Sequence, residues 1–230
     1  MDLTAHIKSA CPTDLDTLER MQTELAKQVI CEGPPRPPVT IAAIDLAYNE
    51  TGYCAAASFY NIETRRHEAV QLHTGQHSFL YKSGLFAYRE LPGVLDLFET
   101  FETRPDLVIF DGNGQLHKRR CGAACYLGLA LDIPVIGVSK NPPARNFEVS
   151  LGAPRGSMAM IDNADIGRGI ALRSRDGVKP IFVSVGHRVT IDDARDLILK
   201  LCRYRIPEPL RRADQACRAE LKKLGAKTHL

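Results

Sequence analysis

Two aspartates stand where carboxylates are costly. Asp45 interrupts the apolar run IAAIDLAY (residues 41–48), and Asp111 ends the apolar part of LVIFDGNG (107–114). An ionised carboxylate in such surroundings requires a cation or strong hydrogen bonds. Acidic residues that end or interrupt apolar strands can project into the crevice at strand ends, where α/β sheets place ligands. Brought together, the two would repel unless a divalent cation lay between them, and hard oxygen donors select Mg²⁺ or Mn²⁺. Taken singly, either aspartate also fits a turn-capping or helix-capping role.

The residues around Asp111 extend this chemistry. Gly112-Asn113-Gly114 suits close backbone approach to a ligand, but lacks the spacing of a phosphate or dinucleotide loop. Gln115 to Arg120 then supplies His117 and three cations. Phosphate contact is the functional reading. The alternative, a solvated basic helix start, sets cations against the positive end of a helix dipole. Upstream, YKSGLFAYRE (81–90) mixes aromatics, cations and a glycine as a stacking or wedging loop would, although Phe86 and Tyr88 also suit a core. Cys121 and Cys125 lack the partners of a zinc site and read as helix-packing residues.

The elements that must position these groups follow from periodicity. Leu15, Leu18, Met21, Leu25 and Val29 recur at helical spacing, so a helix is expected over about 13–31, followed by a stiff Pro-rich connector at 33–38. Residues 39–48, 53–60 and 66–73 read as an antiparallel three-strand meander. Helices are expected from Pro92 to Phe101 and from Ala123 to Leu131, alternating with buried strands at 106–110 and 134–138, an order that predicts parallel pairing. A further strand at 180–184 and helices at 192–202 and 209–224 complete the reading. The expected class is α/β and ribonuclease H-like: a mixed central sheet, antiparallel meander continued by parallel strands, flanked by helices. A single domain over 1–230 is expected.

Composition sets outer bounds. With 230 residues, 44% of them hydrophobic, the chain can bury a sizeable core, which excludes intrinsic disorder. Seven irregularly spaced cysteines do not form a secreted disulfide framework and are expected as free thiols. The start lacks the pattern of a secretory signal, and apolar stretches break before the roughly 20 residues of a bilayer span. A cytoplasmic location with no membrane partner is expected. Net charge is only +3, yet residues 195–230 hold ten Lys/Arg against four Asp/Glu. That asymmetry fits a polyanion partner or a solvated basic surface equally.

Six segments in order, IAAIDLAY, YKSGLFAYRELP, PDLVIFDGNGQLHKRRCGAACYLG, IPVIGVSK, PIFVSVGHRV and RYRIPEPLRRAD, resemble the endonuclease V family, which acts on deaminated adenine. The resemblance implies a ribonuclease H-like fold, dependence on Mg²⁺ with Mn²⁺ as a substitute, and recognition of inosine in nucleic acid. It further implies hydrolysis of the second phosphodiester 3′ to the inosine, leaving 3′-hydroxyl and 5′-phosphate ends, in a repair role; separately, a monomer is expected. By position, Asp45, Glu90, Asp111 and Asp214 match the family's metal-holding acidic residues, and Lys140 matches a lysine near the reacting phosphate. Tyr81 begins its wedge. Gly84, Phe86, Gly112 and Gly122 fall at the inosine pocket, while Arg89, His117, Ser184 and His187 fall in matching segments near the nucleic acid.

Departures from the family pattern bear on the substrate. Bacterial members commonly carry Pro-Tyr-Ile-Pro as the wedge, where this chain has Leu80-Tyr81-Lys82-Ser83. DGNG in place of DGHG is similar to animal members that act on inosine in RNA, and SVGHRV stands for SPGHRV. Inosine-containing RNA therefore stands beside DNA as a substrate. Other readings are a different ribonuclease H-like nuclease, indifferent to inosine, or a non-catalytic nucleic-acid-binding module. Four carboxylates in one groove argue against the latter.

Overall fold

The computed structural model describes residues 2–9, 15–34, 36–50, 52–76, 82 and 84–227. Its centre is one eight-stranded mixed sheet flanked by helices. The strands are β1 (Thr40–Tyr48), β2 (Tyr53–Asn61), β3 (Arg66–Gly75), β4 (Leu107–Asp111), β5 (Val135–Ser139), β6 (Met158–Asn163), β7 (Gly167–Leu172) and β8 (Ile181–His187). Their order across the sheet is β3-β2-β1-β4-β5-β8-β7-β6. The expected meander is β1–β2–β3, antiparallel throughout. β4 pairs parallel with β1, and β5 parallel with β4, as the strand-helix-strand order predicts.

Helices α1 (Leu3–Ser9), α2 (Leu15–Ala26), α3 (Ala87–Glu99), α4 (Ala123–Leu131), α5 (Ile191–Leu201) and α6 (Glu208–Lys227) cover the two faces. Because side chains alternate across a strand, Ala42 and Ile44 of β1 join Val108 and Phe110 of β4 in a core beneath α3 and α4. Ile41, Ala43, Leu107, Ile109, Ile136 and Val138 point the other way, into a second core with α5. On that second side α6 lies over β1 and β2, where Ala213, Cys217 and Leu221 meet Cys54 and Ala56. Small side chains on β2 let the helix come close. The Cys217 thiol donates to the carbonyls of Asp45 and Cys54 at 3.2 and 3.1 Å.

Several expectations are corrected. The hairpin β6–β7 and the short helix α1 were not anticipated. The N-terminal helix ends at Ala26, short of residue 31. Pro92 was read as a helix start, yet α3 begins at Ala87 and holds Pro92 within it, so Glu90 rides on a helix rather than in an irregular loop. Among the described residues, no helix is long and apolar enough to cross a membrane. The described cysteines are free.

Candidate active site

Three strand ends converge on one face. The β1–β4 register pairs Ala43 with Ile109 and Ile44 with Phe110, so one further step sets Asp45 beside Asp111. Lys140 follows β5 with the parity of Ile136 and Val138, residues of the same core side. The C-terminal ends of adjacent parallel strands thus present two carboxylates and an ammonium together, the usual ligand position in such sheets. α6 covers this face and adds Asp214. Lys140 Nζ lies 2.6 Å from Asp111 Oδ2, 3.7 Å from Asp45 Oδ2 and 3.7 Å from Asp214 Oδ1.

Burial sharpens the electrostatics. Asp45 is only 6% exposed. Its Oδ1 accepts the Leu46 N–H at 2.7 Å, whereas Oδ2 is buried with no hydrogen-bond partner among the described residues. Burial, followed by repulsion from Asp111, pushes the Asp45 carboxyl up to about 8, against the pull of Lys140. Glu90 reaches the same group from α3. It is buried, and its Oε2 likewise lacks a hydrogen-bond partner among the described residues. Burial and the charges of Asp45 and Asp111 hold it well above the usual carboxylate range, opposed by Tyr48 and Arg89. For Lys140, desolvation would lower the ammonium, but Asp111, Asp45 and Asp214 outweigh it and raise the group. Among the described residues, no three His, Cys, Asp or Glu side chains are gathered closely enough to enclose a metal ion as they stand. The aspartates are spread around the Lys140 ammonium.

A cleft of about 380 Å³ opens close by, lined by Gly84, Phe86, Asn113, His117 and Gly122, with Pro143 and Ala144 on the facing loop. Gly122 is dictated by packing: a Cβ there would lie 2.2 Å from the Asn113 carbonyl oxygen. Gly84 has a φ of 80°, which favours glycine. Phe86 is 37% exposed at the cleft, whereas Tyr88 is core, its hydroxyl 3.1 Å from that of Tyr126. Burial, then the neighbouring Arg119, lowers the His117 imidazole to about 4, so it is neutral at physiological pH. Gly112 donates its N–H to the carbonyls of Phe110 and Val138, each at 2.9 Å.

Other anticipated residues have interior duties. The cations after His117 are largely absorbed by protein partners. Arg119 pairs with Glu19 at 3.0 Å, donates to Gln22 Oε1 at 2.6 Å and to the Gly84 carbonyl at 3.0 Å. Arg120 pairs with Asp162 at 2.8 Å. Arg89 stacks on the Tyr48 ring, 4.6 Å from its centroid. Ser184 is fully buried and accepts the Gly114 N–H at 2.9 Å. His187 is also buried, accepting the Ile30 N–H on Nδ1 at 3.3 Å. Both lie inside the protein rather than on a surface, because every residue of β8 is buried. Tyr81, with Leu80 and Ser83, lies outside the described residues.

Three further contributors stand outside the candidate site residues drawn from the sequence, although Asn113 lies in the loop read there as approached by a ligand. Tyr48 packs beside Glu90 and Arg89. Asn113 lines the cleft. Arg205 donates to the Lys140 and Pro180 carbonyls at 2.5 and 2.8 Å and to the Lys179 carbonyl at 3.0 Å. Only the place of Asn113 beside Asp111 was a usable signal.

The family model for endonuclease V matches residues 23–215. The chain belongs to the endonuclease V family. It is 41% identical to the Streptomyces avermitilis endonuclease V over 97% of this chain and 99% of that protein. A crystal structure of the Streptomyces avermitilis endonuclease V superposes with a TM-score of 0.85 at 40% identity, covering 93% of this chain and 96% of that one. Human endonuclease V superposes with a TM-score of 0.82 at 28% identity, covering 92% and 100%. Family membership makes the chain a nuclease.

Proposed function

We propose that the chain is a metal-dependent endonuclease that recognises inosine and hydrolyses the second phosphodiester bond 3′ to it, leaving 3′-hydroxyl and 5′-phosphate ends. The observation that carries this reading is the placement of Asp45, Asp111 and Asp214 around the Lys140 ammonium, each within 3.7 Å of it, with Glu90 behind them. The donor set fits a hard divalent ion, being all oxygen, with two buried carboxylate oxygens lacking hydrogen-bond partners among the described residues. Asp45, Glu90, Asp111 and Asp214 would hold Mg²⁺, or Mn²⁺ in its place. Such an ion supplies Lewis-acid stabilisation of the charge that develops on the phosphoryl group.

The remaining steps belong to the chain's own residues. Lys140, raised by its three aspartates, stays protonated and can donate to a phosphate oxygen at neutral pH. The cleft beside the carboxylates has the size of a small-ligand site. An extruded base entering it meets the exposed edge of Phe86 and the backbone around Asn113 and Gly122. Hypoxanthine offers an acceptor at O6 and a donor at N1, opposite to adenine, so backbone groups suffice to tell them apart. Neutral His117 contributes polarity without a second cation.

The fold is shared with the Ciona intestinalis endonuclease V, which was solved with DNA containing an inosine followed by a ribo-adenosine (TM-score 0.78, 24% identity). Both DNA and RNA are therefore offered in the test. Single-stranded RNA, single-stranded DNA and duplex DNA, each with one inosine, are incubated with Mg²⁺ and compared with adenine controls. Cleavage of inosine substrates alone, lost in Asp45→Asn and Asp111→Asn, is the expected result. Equal cleavage of adenine controls, or full activity in either variant, would overturn the reading.

A further inference from the structure

Away from the carboxylates, a cavity of about 180 Å³ opens between the β2–β3 turn and the segment leading into α6. Arg65, Lys200, Arg203 and Arg212 line it, with Tyr60 and His67 from the sheet. The acidic residue on this wall, Glu208, is shared between two arginines: each of its oxygens accepts a hydrogen bond from Arg211 at 2.9 Å, and it also pairs with Arg212 at 3.7 Å, leaving a net excess of positive charge on the wall. Among the described residues, Arg65, Lys200 and Arg203 have no carboxylate within ion-pair distance. His67 meets the Tyr60 ring edge-on at 5.0 Å, and its Nδ1 is buried with no hydrogen-bond partner among the described residues.

Cations facing one small cavity repel each other, and an anion between them relieves that repulsion. Arginine forks match the oxygens of a phosphate, and lysine adds a point charge. A carboxylate ligand would satisfy fewer of these donors than a tetrahedral oxyanion. We infer that this cavity binds a phosphate group at a site separate from the carboxylate centre. In the β1–β2 register Asp45 faces Ala56, and Tyr60 lies four residues farther along β2, about 13 Å at strand rise. A nucleic-acid strand crossing the carboxylates can reach that far within a few nucleotides, so its backbone is one source of the phosphate. A free phosphate compound is the other. Only the first source rests on the proposed nuclease reading.

The experiment uses the full chain without divalent metal. Melting temperature is followed against sodium phosphate at constant ionic strength, for the wild type, for Lys140→Ala, and for a double variant Arg65→Asn with Arg203→Gln. Asparagine accommodates the positive φ of 57° at Arg65. Lys200→Gln with Arg212→Gln serves should the first pair fail to fold. A saturable rise in wild type and Lys140→Ala, absent from the cavity variant, is expected. No response in wild type, or an equal response in the cavity variant, overturns the site. A second arm measures binding of an inosine-containing oligonucleotide in EDTA across a salt series. A fall of about 0.7–0.9 in the log–log slope per lost contact identifies backbone phosphate. An unchanged slope beside a lost phosphate response identifies a free compound. Failure of oligonucleotides to bind at all would count against the nuclease reading and leave the phosphate arm intact.

Discussion

Replacing Asp45 by asparagine should make the metal-free protein more stable while abolishing its activity. The folded-state carboxyl is pushed up to about 8 from an ordinary value of 3.8. Between those values the folded chain holds a proton that the unfolded chain releases. Stability from this group is therefore present below pH 4 and is lost as pH rises towards 8. Four pH units correspond to an upper bound of about 5 kcal/mol. Lys140 at 3.7 Å stabilises the charged form in both partners' favour, and an amide also loses that attraction. A net gain of about 1–2 kcal/mol is expected for Asp45→Asn at pH 8, or roughly 2–8 °C in Tm for a chain this long. Thermal melts in EDTA from pH 5 to 8 should show the variant's advantage opening with pH. Mg²⁺ or Mn²⁺ should raise the melting temperature of the wild type and leave the variant unmoved. A variant less stable than wild type at every pH, or one that keeps the metal-induced rise, would refute the reasoning.

Three further perturbations follow from named contacts. Arg205→Lys removes the fork that spans the Lys140, Lys179 and Pro180 carbonyls, and a displaced Lys140 should lower kcat about tenfold or more with little change in substrate binding, read by single-turnover kinetics. Gly122→Ala forces a Cβ against the Asn113 carbonyl; a cost of about 1–3 kcal/mol is expected, together with a reduced preference for inosine over adenine in competition cleavage. Ser184→Ala leaves the buried Gly114 N–H without its acceptor, which should cost about 1–3 kcal/mol and speed hydrogen exchange at Gly114, with activity falling no more than folding does.

The parts of the site that were legible in the sequence are those where chemistry contradicts its surroundings. Asp45 and Asp111 stand out because a carboxylate in an apolar strand demands an explanation, and the parallel register explains both at once. Glu90 and Asp214 carry no such local signal, since acidic residues on helices are ordinary, and only the family resemblance singled them out. The hairpin β6–β7 was missed because its outer strand is largely exposed, with Met160 58% accessible, so the alternation that marks a half-buried strand is weak. Arg119 was read as a phosphate contact because its partners Glu19 and Gln22 lie about a hundred residues upstream. Ser184 carries no signal of its own in the sequence, the family resemblance alone setting it near the nucleic acid; in the fold it is buried, and its hydroxyl supports the Gly114 turn.

The Arg119 strut ties the first part of the chain to the rim of the cleft lined by Gly84 and Phe86. Glu19 and Gln22 hold its guanidinium from α2, and the same guanidinium reaches the Gly84 carbonyl. Drift at positions 19 and 22, remote from every acidic motif, would thus surface as altered base choice rather than as a dead enzyme. Under the proposed function, positions 19 and 22 offer a lever on base preference that does not touch Asp45, Asp111, Asp214 or Lys140.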